Sequence, residues 1–266
     1  MAKTPAPKST EISIENVKSG RVRLQIVGNS PLYFNSMSAK AKRTLLLPEV
    51  TGRKTRAERA ADFKHRPVDE FRASVYVAAD GPTYLQLPAP AFKCAMMSAA
   101  LDRPNTRNSE IGRLVWIEGY RVPVWGIPFL KMDVVRSADM NKTPDVRTRA
   151  FLPEWCAEIT VAFLKPNLTD QSIVNLLAAS GLICGVGDFR QEKGKGSFGQ
   201  FRLVESREDA DFQRIMAAGG ADAQRQAMIE ANPHDEETAG MLSWYSAEVL
   251  TLGDKRGASR AQKEAA

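Results

Sequence analysis

The chain has 266 residues, 43% of them hydrophobic, which is enough apolar material for one sizeable core. Its formal net charge of +6 fits an anionic partner. The sequence holds no run of about eighteen apolar residues and its start, "MAKTPAPKSTE", has no apolar stretch, so we expect neither a membrane span nor a secretory signal. We therefore expect a cytoplasmic protein.

Cysteine and histidine exclude several enzyme classes by their number and spacing. The three cysteines, Cys94, Cys156 and Cys184, lie far apart among apolar neighbours, which predicts buried free thiols. The two histidines, His65 and His234, lie in charged stretches that we expect to be exposed. The sequence lacks HExxH, CxxC, GxSxG and GxxxxGK[ST] patterns. We therefore expect no metal site, no cofactor and no catalytic activity.

The N-terminal part combines a polar arm with a basic segment. The Lys, Pro, Ser and Thr content of residues 1–19 predicts a flexible arm. The alternation of apolar and basic residues at 21–30 predicts a strand with basic side chains on one face. Segment 36–66 carries nine positive and three negative residues, and we expect helices at 36–46 and near 56–64. The segment is either a solvated charged surface or a surface for a phosphate backbone. Its candidate contacts are Lys40, Lys42, Arg43, Arg53, Lys54 and Arg56.

Two well-marked helices and several strands follow. Apolar spacing predicts a helix at 90–101, and Thr169 as N-cap with Gly181 just after the last turn predicts a helix at 169–180. Residues 113–135 are strand-like, and their first part, 113–127, is typical of an extra hairpin at a sheet edge. Residues 136–153 lack periodicity and predict a long loop whose basic residues are Arg136, Lys142, Arg147 and Arg149.

This order predicts an α+β fold with a ferredoxin-like, RRM-like βαββαβ core over residues 20–206. The core elements are strand 21–28, helix 90–101, strand 129–135, strand 155–164, helix 169–180 and strand 198–204. A basic segment is inserted at 30–89, and the excursion at 136–153 joins the two middle strands. We expect a helical C-terminal region at 207–252 and a disordered tail at 253–266. Because long loops in compact domains are usually functional, the two basic departures favour a binding protein.

A glycine-rich stretch, "GVGDFRQEKGKGSFGQF" at 185–201, lies between the second helix and the last strand. Five glycines would let backbone N–H groups and basic side chains approach phosphates closely. The alternative is a flexible turn with ordinary lysines. The candidate contacts are Arg190, Lys193, Lys195, Gly194 and Gly196.

Apolar and aromatic residues near these basic segments leave further alternatives. Met140 and Phe151 either separate bases or anchor the excursion. Tyr33 and Phe34 either stack on bases or pack in the core, and we expect core packing for at least one. We expect Trp116, Trp125 and Trp155 to pack in the sheet region. Trp244 and Tyr245 dock either a neighbouring protomer or their own chain.

The order of elements, with Gly185, Gly187, Arg190, Gly194, Gly196 and Gly199 before the last strand, resembles the RAMP superfamily. These RRM-like proteins include the backbone subunits of CRISPR effector complexes, and the excursion 136–153 lies where such subunits carry a thumb. Residues 21–204 also resemble a group of uncharacterised phage and prophage proteins, through "SPLYFNSMSAKAK", "DEFRASVY", "PAPAFKCAM" and "VRSADMNKTPDVRTRAFLPEW". The RAMP resemblance implies head-to-tail oligomers along a single-stranded nucleic acid.

The sequence thus predicts a non-catalytic, oligomeric protein that binds single-stranded DNA or RNA, phage-encoded and located in the bacterial host cytoplasm. One alternative is a guide-RNA-binding backbone subunit of a CRISPR-type ribonucleoprotein, with or without RNA cleavage. Some RAMP subunits cleave target RNA with a loop aspartate. Asp62, Asp69 and Asp139 match no such motif. A second alternative is a structural protein whose basic surface contacts an acidic protein partner.

Overall fold

The structure is a computed structural model, which describes residues 16–37, 39–46, 65–104, 106–136, 144–193, 196–206 and 208–264. It is a mixed α/β fold with two antiparallel sheets, in agreement with the predicted α+β class. The N-terminal half of the described chain contains β1 (Lys18–Gly28), β2 (Leu32–Tyr33), α1 (Ala39–Leu46), α2 (Pro67–Ala73), β3 (Tyr76–Val77), β4 (Leu85–Pro88), α3 (Ala89–Ala100), α4 (Asn108–Leu114), β5 (Val115–Ile117) and β6 (Arg121–Trp125). The C-terminal half contains β7 (Phe129–Arg136), β8 (Pro144–Leu152), β9 (Cys156–Lys165), α5 (Asp170–Ile183), a 3-10 turn (Gln191–Lys193), β10 (Phe201–Leu203), α6 (Ala210–Ala218), α7 (Ala221–Glu230) and α8 (Glu236–Glu264).

The main sheet has the strand order β10-β1-β9-β6-β4-β3, and β5 also pairs with β9. Its longest ladder joins β1 to β9, from Lys18 opposite Lys165 to Val27 opposite Cys156. Helices α3 and α5 pack together on one face of this sheet, where Phe92 and Leu177 are fully buried. The core therefore lies between one sheet face and two helices.

The predicted middle strand at 129–135 is not part of this sheet. β7 lies in the second sheet, and β5 and β6 pair with β9 instead. Residues 115–125 therefore lie inside the main sheet rather than forming an extra hairpin at its edge. The part at 113–114 belongs to helix α4.

The second sheet has the order β2-β8-β7 and replaces most of the predicted loop at 136–153. β7 pairs with β8 along its whole length, from Arg136 opposite Pro144 to Phe129 opposite Phe151. The two strands form a ribbon whose residues at the β2 end are buried or half-buried and whose residues at the far end are exposed or half-buried. The described part of the excursion therefore forms mainly a β-strand, β8, and not the predicted loop.

The helix predictions agree with the structure in position but differ at several termini. α1, α3 and α5 lie where the sequence predicts helices, although α1 begins at Ala39 rather than at 36. The Thr169 hydroxyl accepts a hydrogen bond from Ser172 N–H as an N-cap. Gly181 lies within α5 and does not follow its end. A Cβ on Gly181 would be 2.2 Å from Phe201 O, so this glycine lets β10 approach the helix closely. The second predicted helix near 56–64 lies outside the described residues.

The C-terminal region is helical, as the sequence predicts. α6 covers one end of the other face of the main sheet, where Phe212 and Ile215 pack on Val27 and Cys156. The predicted disordered tail differs from the structure, in which α8 continues to Glu264. No described helix has both the length and the apolar character to cross a membrane.

All three cysteines are free thiols, but only two are buried. Burial raises the pKa of Cys156 to about 12 and that of Cys184 to about 11, so neither favours the reactive thiolate. Cys94 is exposed on α3, contrary to the prediction.

Candidate nucleic-acid interface

The described part of the glycine-rich loop folds back on itself and lies against β2. Val186 N–H donates to Gly199 O at 2.9 Å, which closes the loop, and Asp188 N–H donates to Tyr33 O at 3.1 Å. The ring of Tyr33 also contacts the rings of Phe189 and Phe198 at centroid distances of 5.6 and 4.9 Å. The loop is thus fixed to the second sheet by backbone hydrogen bonds and aromatic packing.

The glycines serve the internal packing of this loop. Gly199 has a φ of +72°, and a Cβ there would be 1.7 Å from Val186 O. A Cβ on Gly196 would be 1.6 Å from Phe189 O. The hydrogen that a Cβ would replace in each glycine thus points at the protein's own backbone. Gly196 therefore has a packing role in the loop, and its phosphate contact stays a prediction.

Arg149 lies inside the protein, contrary to the predicted phosphate contact. Its side chain is 3% exposed, with Nη2 3.0 Å from Asp133 Oδ2 and Nη1 2.6 Å from Asp188 Oδ2. The guanidinium carbon lies 4.7 Å from the ring centre of Tyr33 and 4.2 Å from that of Phe189. Arg149 therefore joins the ribbon to the glycine-rich loop as a buried, charge-paired anchor.

Two polar neighbours complete the surroundings of Arg149. The Tyr33 hydroxyl donates to Asp133 Oδ1 at 3.3 Å, and burial, then Asp133, raises the pKa of this phenol well above its usual range. Asn35 Nδ2 donates to Asp188 Oδ2 at 3.0 Å. Both carboxylates are therefore already satisfied by neutral donors as well as by Arg149.

Arg190 also has internal partners. Its Nε donates to Glu192 Oε2 at 2.7 Å, and its Nη1 donates to Gly187 O at 3.1 Å. Glu192 in turn accepts a hydrogen bond from the Ser98 hydroxyl on α3. Arg190 thus stabilises the turn in which it lies, and a phosphate would have to compete with Glu192 for it.

Arg136 and Arg147 differ from these two arginines because both are exposed at the far end of the ribbon. Arg147 lies opposite Asp133, but that carboxylate binds Arg149 and Tyr33. Neither arginine forms an ion pair with any residue that the structure describes.

The other predicted contacts are located only in part. Lys40, Lys42 and Arg43 lie on α1, and Lys42 is exposed. Lys193 ends the 3-10 turn after Arg190. The remaining candidates lie outside the described residues, and these are Arg53, Lys54, Arg56, Lys142, Gly194 and Lys195, together with Met140.

Tyr33, Phe34 and Phe151 are all buried, so the packing alternatives agree with the structure. His234 is exposed as predicted, whereas His65 is half-buried between Glu70 and Asp145. Trp155 is fully buried, but Trp116 is 38% exposed on the face opposite α3 and α5.

Sequence reasoning missed Asp133 and Asp188, the partners of Arg149. The alternation of Arg147, Arg149 and Phe151 on one face of a strand was the available signal.

No protein-family model matches this sequence, and no curated protein matches it either. Its function is therefore inferred from the arrangement of its own residues.

Proposed function

We propose that this protein binds single-stranded nucleic acid without sequence preference, with Arg136 and Arg147 on the ribbon as phosphate contacts. The observation that carries the proposal is that these two guanidinium groups are exposed and lack carboxylate partners among the described residues. A guanidinium binds phosphate oxygens through two parallel hydrogen bonds and stays charged at all relevant pH values. The buried Arg149 fixes the base of the ribbon that presents them.

The strand order supports an RRM-like core for this proposal. A βαββαβ chain of the ferredoxin-like type has its strands in the order 4-1-3-2, and β10, β1, β9 and β6 follow one another in the main sheet. β1 leads through α3 to β6, and β9 leads through α5 to β10. The middle strand of this core would be β6 rather than the predicted 129–135.

In this proposal the protein is not an enzyme, and copies assemble head to tail along the strand, as the resemblance to RAMP backbone subunits implies. The ribbon β7–β8 would take the place of the thumb in that family. Exposed Lys42 on α1 adds positive charge within the basic insertion. Imaging the protein with and without a long single strand tests the assembly separately from binding.

The binding experiment is a titration of the protein into labelled oligo-dT and oligo-U at several salt concentrations. The double variant Arg136→Gln/Arg147→Gln should bind several-fold more weakly. For single strands the slope of log K against log salt is about −0.7 per neutralised phosphate, so two lost contacts should make it less negative by about 1.4.

A matched control removes two positive charges that lie outside the ribbon, on β9 and α6, and that have carboxylate partners. Lys165 lies 3.2 Å from Asp170, and Arg214 lies 2.7 Å from Glu154. Lys165→Gln/Arg214→Gln should therefore retain most of the affinity and the salt slope. The proposal is overturned if the wild-type protein does not bind at low salt, or if both double variants lose affinity equally.

A further inference from the structure

The main sheet has one face that its helices leave partly uncovered. Val115 and Ile117 of β5 are buried in the core beneath α3, so Trp116 between them points to the opposite side. Trp116 and Arg21 both lie opposite Ala162, one on each side of β9. These residues therefore share the face that is turned away from α3 and α5, here called the open face.

Only one end of the open face is closed by the described chain. There α6 places Phe212 and Ile215 on Val27 and Cys156, and these apolar contacts form a small second core. At the other end β9 carries the small residues Thr160 and Ala162, next to Arg23 and Arg21 of β1, and Ala162 is buried among its neighbours. The described chain therefore encloses the apolar end and leaves polar and aromatic side chains exposed at the other.

Two exposed aromatic side chains lie on β5 and in the turn after it. Trp116 of β5 lies on the open face and is 38% exposed, and Tyr120, in the turn between β5 and β6, is 82% exposed. The guanidinium carbon of Arg121 lies 5.2 Å from the ring centre of Tyr76 and 5.6 Å from that of Tyr120. Arg121 is therefore close enough to both rings for cation–π contact.

Three arginines accompany these rings. Arg21 pairs with Glu118 at 2.7 Å and Arg23 pairs with Glu158, and both arginine side chains are more than 70% exposed. Exposed ion pairs of this kind contribute little to stability, so a phosphate can exchange with the carboxylates at low cost. Arg121 has no ion pair with any described residue. The surface therefore carries an excess of positive charge.

We propose that the uncovered end of the open face is a base-stacking surface for the single strand, on which bases stack on Trp116 and Tyr120. Arg21, Arg23 and Arg121 neutralise the adjacent phosphates. This inference rests on the proposed function and adds a second contact region to the ribbon. Exposed arginines interleaved with aromatic rings suit a nucleic-acid strand, since stacking and charge neutralisation are its two main sources of binding energy. The cores of protein–protein interfaces, by contrast, are depleted of charged residues.

The test compares Trp116→Ala, Tyr120→Ala and their double variant with wild type on labelled oligo-dT and oligo-U. Stacking of one base contributes about tenfold to affinity or more, so each variant should bind about tenfold more weakly. Trp116→Phe and Tyr120→Phe keep a ring and should bind nearly as wild type. The control is Leu182→Ala, which removes an apolar side chain that is 56% exposed on α5, on the other side of the sheet, and should leave the affinity unchanged.

An abasic strand of the same length separates stacking from other causes. It presents the same phosphates without bases, so wild type and the double variant should bind it with equal affinity. The salt slope should also be the same for both proteins, since no phosphate contact is removed.

The outcomes for this inference and for the proposed function are distinct. If wild type binds and the ribbon variants weaken binding, but the alanine variants bind normal strands as wild type does, the stacking surface is refuted and the proposed function stands. A difference that persists on the abasic strand also refutes stacking. Failure of wild type to bind any strand refutes the proposed function itself.

Discussion

Arg149 and Asp188 are 39 residues apart in the sequence, and their Nη1 and Oδ2 atoms are 2.6 Å apart. The contact joins the middle strand of the second sheet to the glycine-rich loop. Asp133 holds the other side of the same guanidinium, and aromatic rings lie close to the group. Two segments that the sequence suggested as separate phosphate contacts are therefore one structural unit.

Removing this arginine should destabilise the protein strongly. Arg149→Met leaves two partly buried carboxylates without their cation, and breaking a buried ion pair from one side costs about 3–5 kcal/mol. Because Asp133 and Asp188 retain some contact with water, we expect about 3 kcal/mol in the free energy of unfolding, measured with urea. Arg147→Gln, on the exposed part of the same strand, should change it by less than about 0.5 kcal/mol. Equal effects of the two substitutions would contradict the assigned role of Arg149.

Two glycines offer a matched pair of alanine substitutions with opposite effects. At Gly199 the φ of +72° and a Cβ only 1.7 Å from Val186 O make alanine unfavourable, and we expect a loss of about 2 kcal/mol or more. At Gly240 in α8 nothing lies within 4 Å of the added Cβ, so alanine should stabilise the helix by about 0.5–1 kcal/mol. Thermal unfolding monitored by circular dichroism measures both shifts. A neutral Gly199→Ala would mean that the loop is not closed as described.

The sequence predicted those elements whose signals are local. The Thr169 cap and the spacing of Ile173 and Leu177 lie within α5 itself, and the helix forms where they predict. The choice between 115–125 and 129–135 as the partner of β9 was wrong, because both stretches are rich in β-forming residues. Which of them pairs depends on register with a strand some 30–50 residues later along the chain.

The candidate site was predicted as a set of basic residues but not as an arrangement. Arg147 and Arg149 are alike in the sequence, yet one is exposed and the other is buried. The difference arises from the loop that carries Asp188, which covers only the inner part of the ribbon. Likewise Trp116 has a strand-like neighbourhood that predicts packing, and its exposure follows from how far α6 extends over the sheet.

Acid should destabilise the fold through carboxylates whose pKa is lowered on folding. Arg202 lowers the pKa of Asp209 most, and Lys131 lowers that of Asp235 most. Each carboxylate also caps the N-terminus of a helix. Asp209 accepts a hydrogen bond from Phe212 N–H of α6, and Asp235 accepts one from Thr238 N–H of α8. The unfolded chain then binds protons at a higher pH than the folded chain does. Stability from these groups is complete above their unfolded pKa of about 4 and is lost as pH falls towards their lower folded values.

The double variant Asp209→Asn/Asp235→Asn keeps an N-cap residue at both helices but removes the ionisable groups. It should be less stable than wild type at neutral pH, and the difference should shrink as pH falls below about 4. Urea unfolding between pH 7 and pH 2 measures the two curves. Asp80→Asn, at an exposed aspartate without an ion pair among the described residues, should follow the wild-type curve. Parallel curves for wild type and the double variant would show that the two carboxylates do not cause the acid sensitivity.

Gln224 is a fully buried polar residue that satisfies four backbone groups at once. Its Oε1 accepts from Tyr84 N–H at 2.8 Å and Leu85 N–H at 2.9 Å, and its Nε2 donates to Val124 O and Gly126 O at 2.8 and 3.0 Å. Gln224→Leu leaves these groups unpaired in a buried position. Each such group costs about 1–3 kcal/mol, so we expect a loss of about 3 kcal/mol or more.

Two further substitutions separate the parts of this network. Gln224→Glu keeps an acceptor for the N–H groups of Tyr84 and Leu85 but places a second carboxylate oxygen against two carbonyl oxygens, so it should also destabilise the fold. The loss should be larger at neutral pH than in mild acid, because a protonated carboxyl can donate to one of the two carbonyls. Gln226→Leu on the exposed side of α7 should stay within about 0.5 kcal/mol of wild type. If Gln224→Leu proves as mild as Gln226→Leu in urea unfolding, α7 does not anchor β4 and β6 through this side chain.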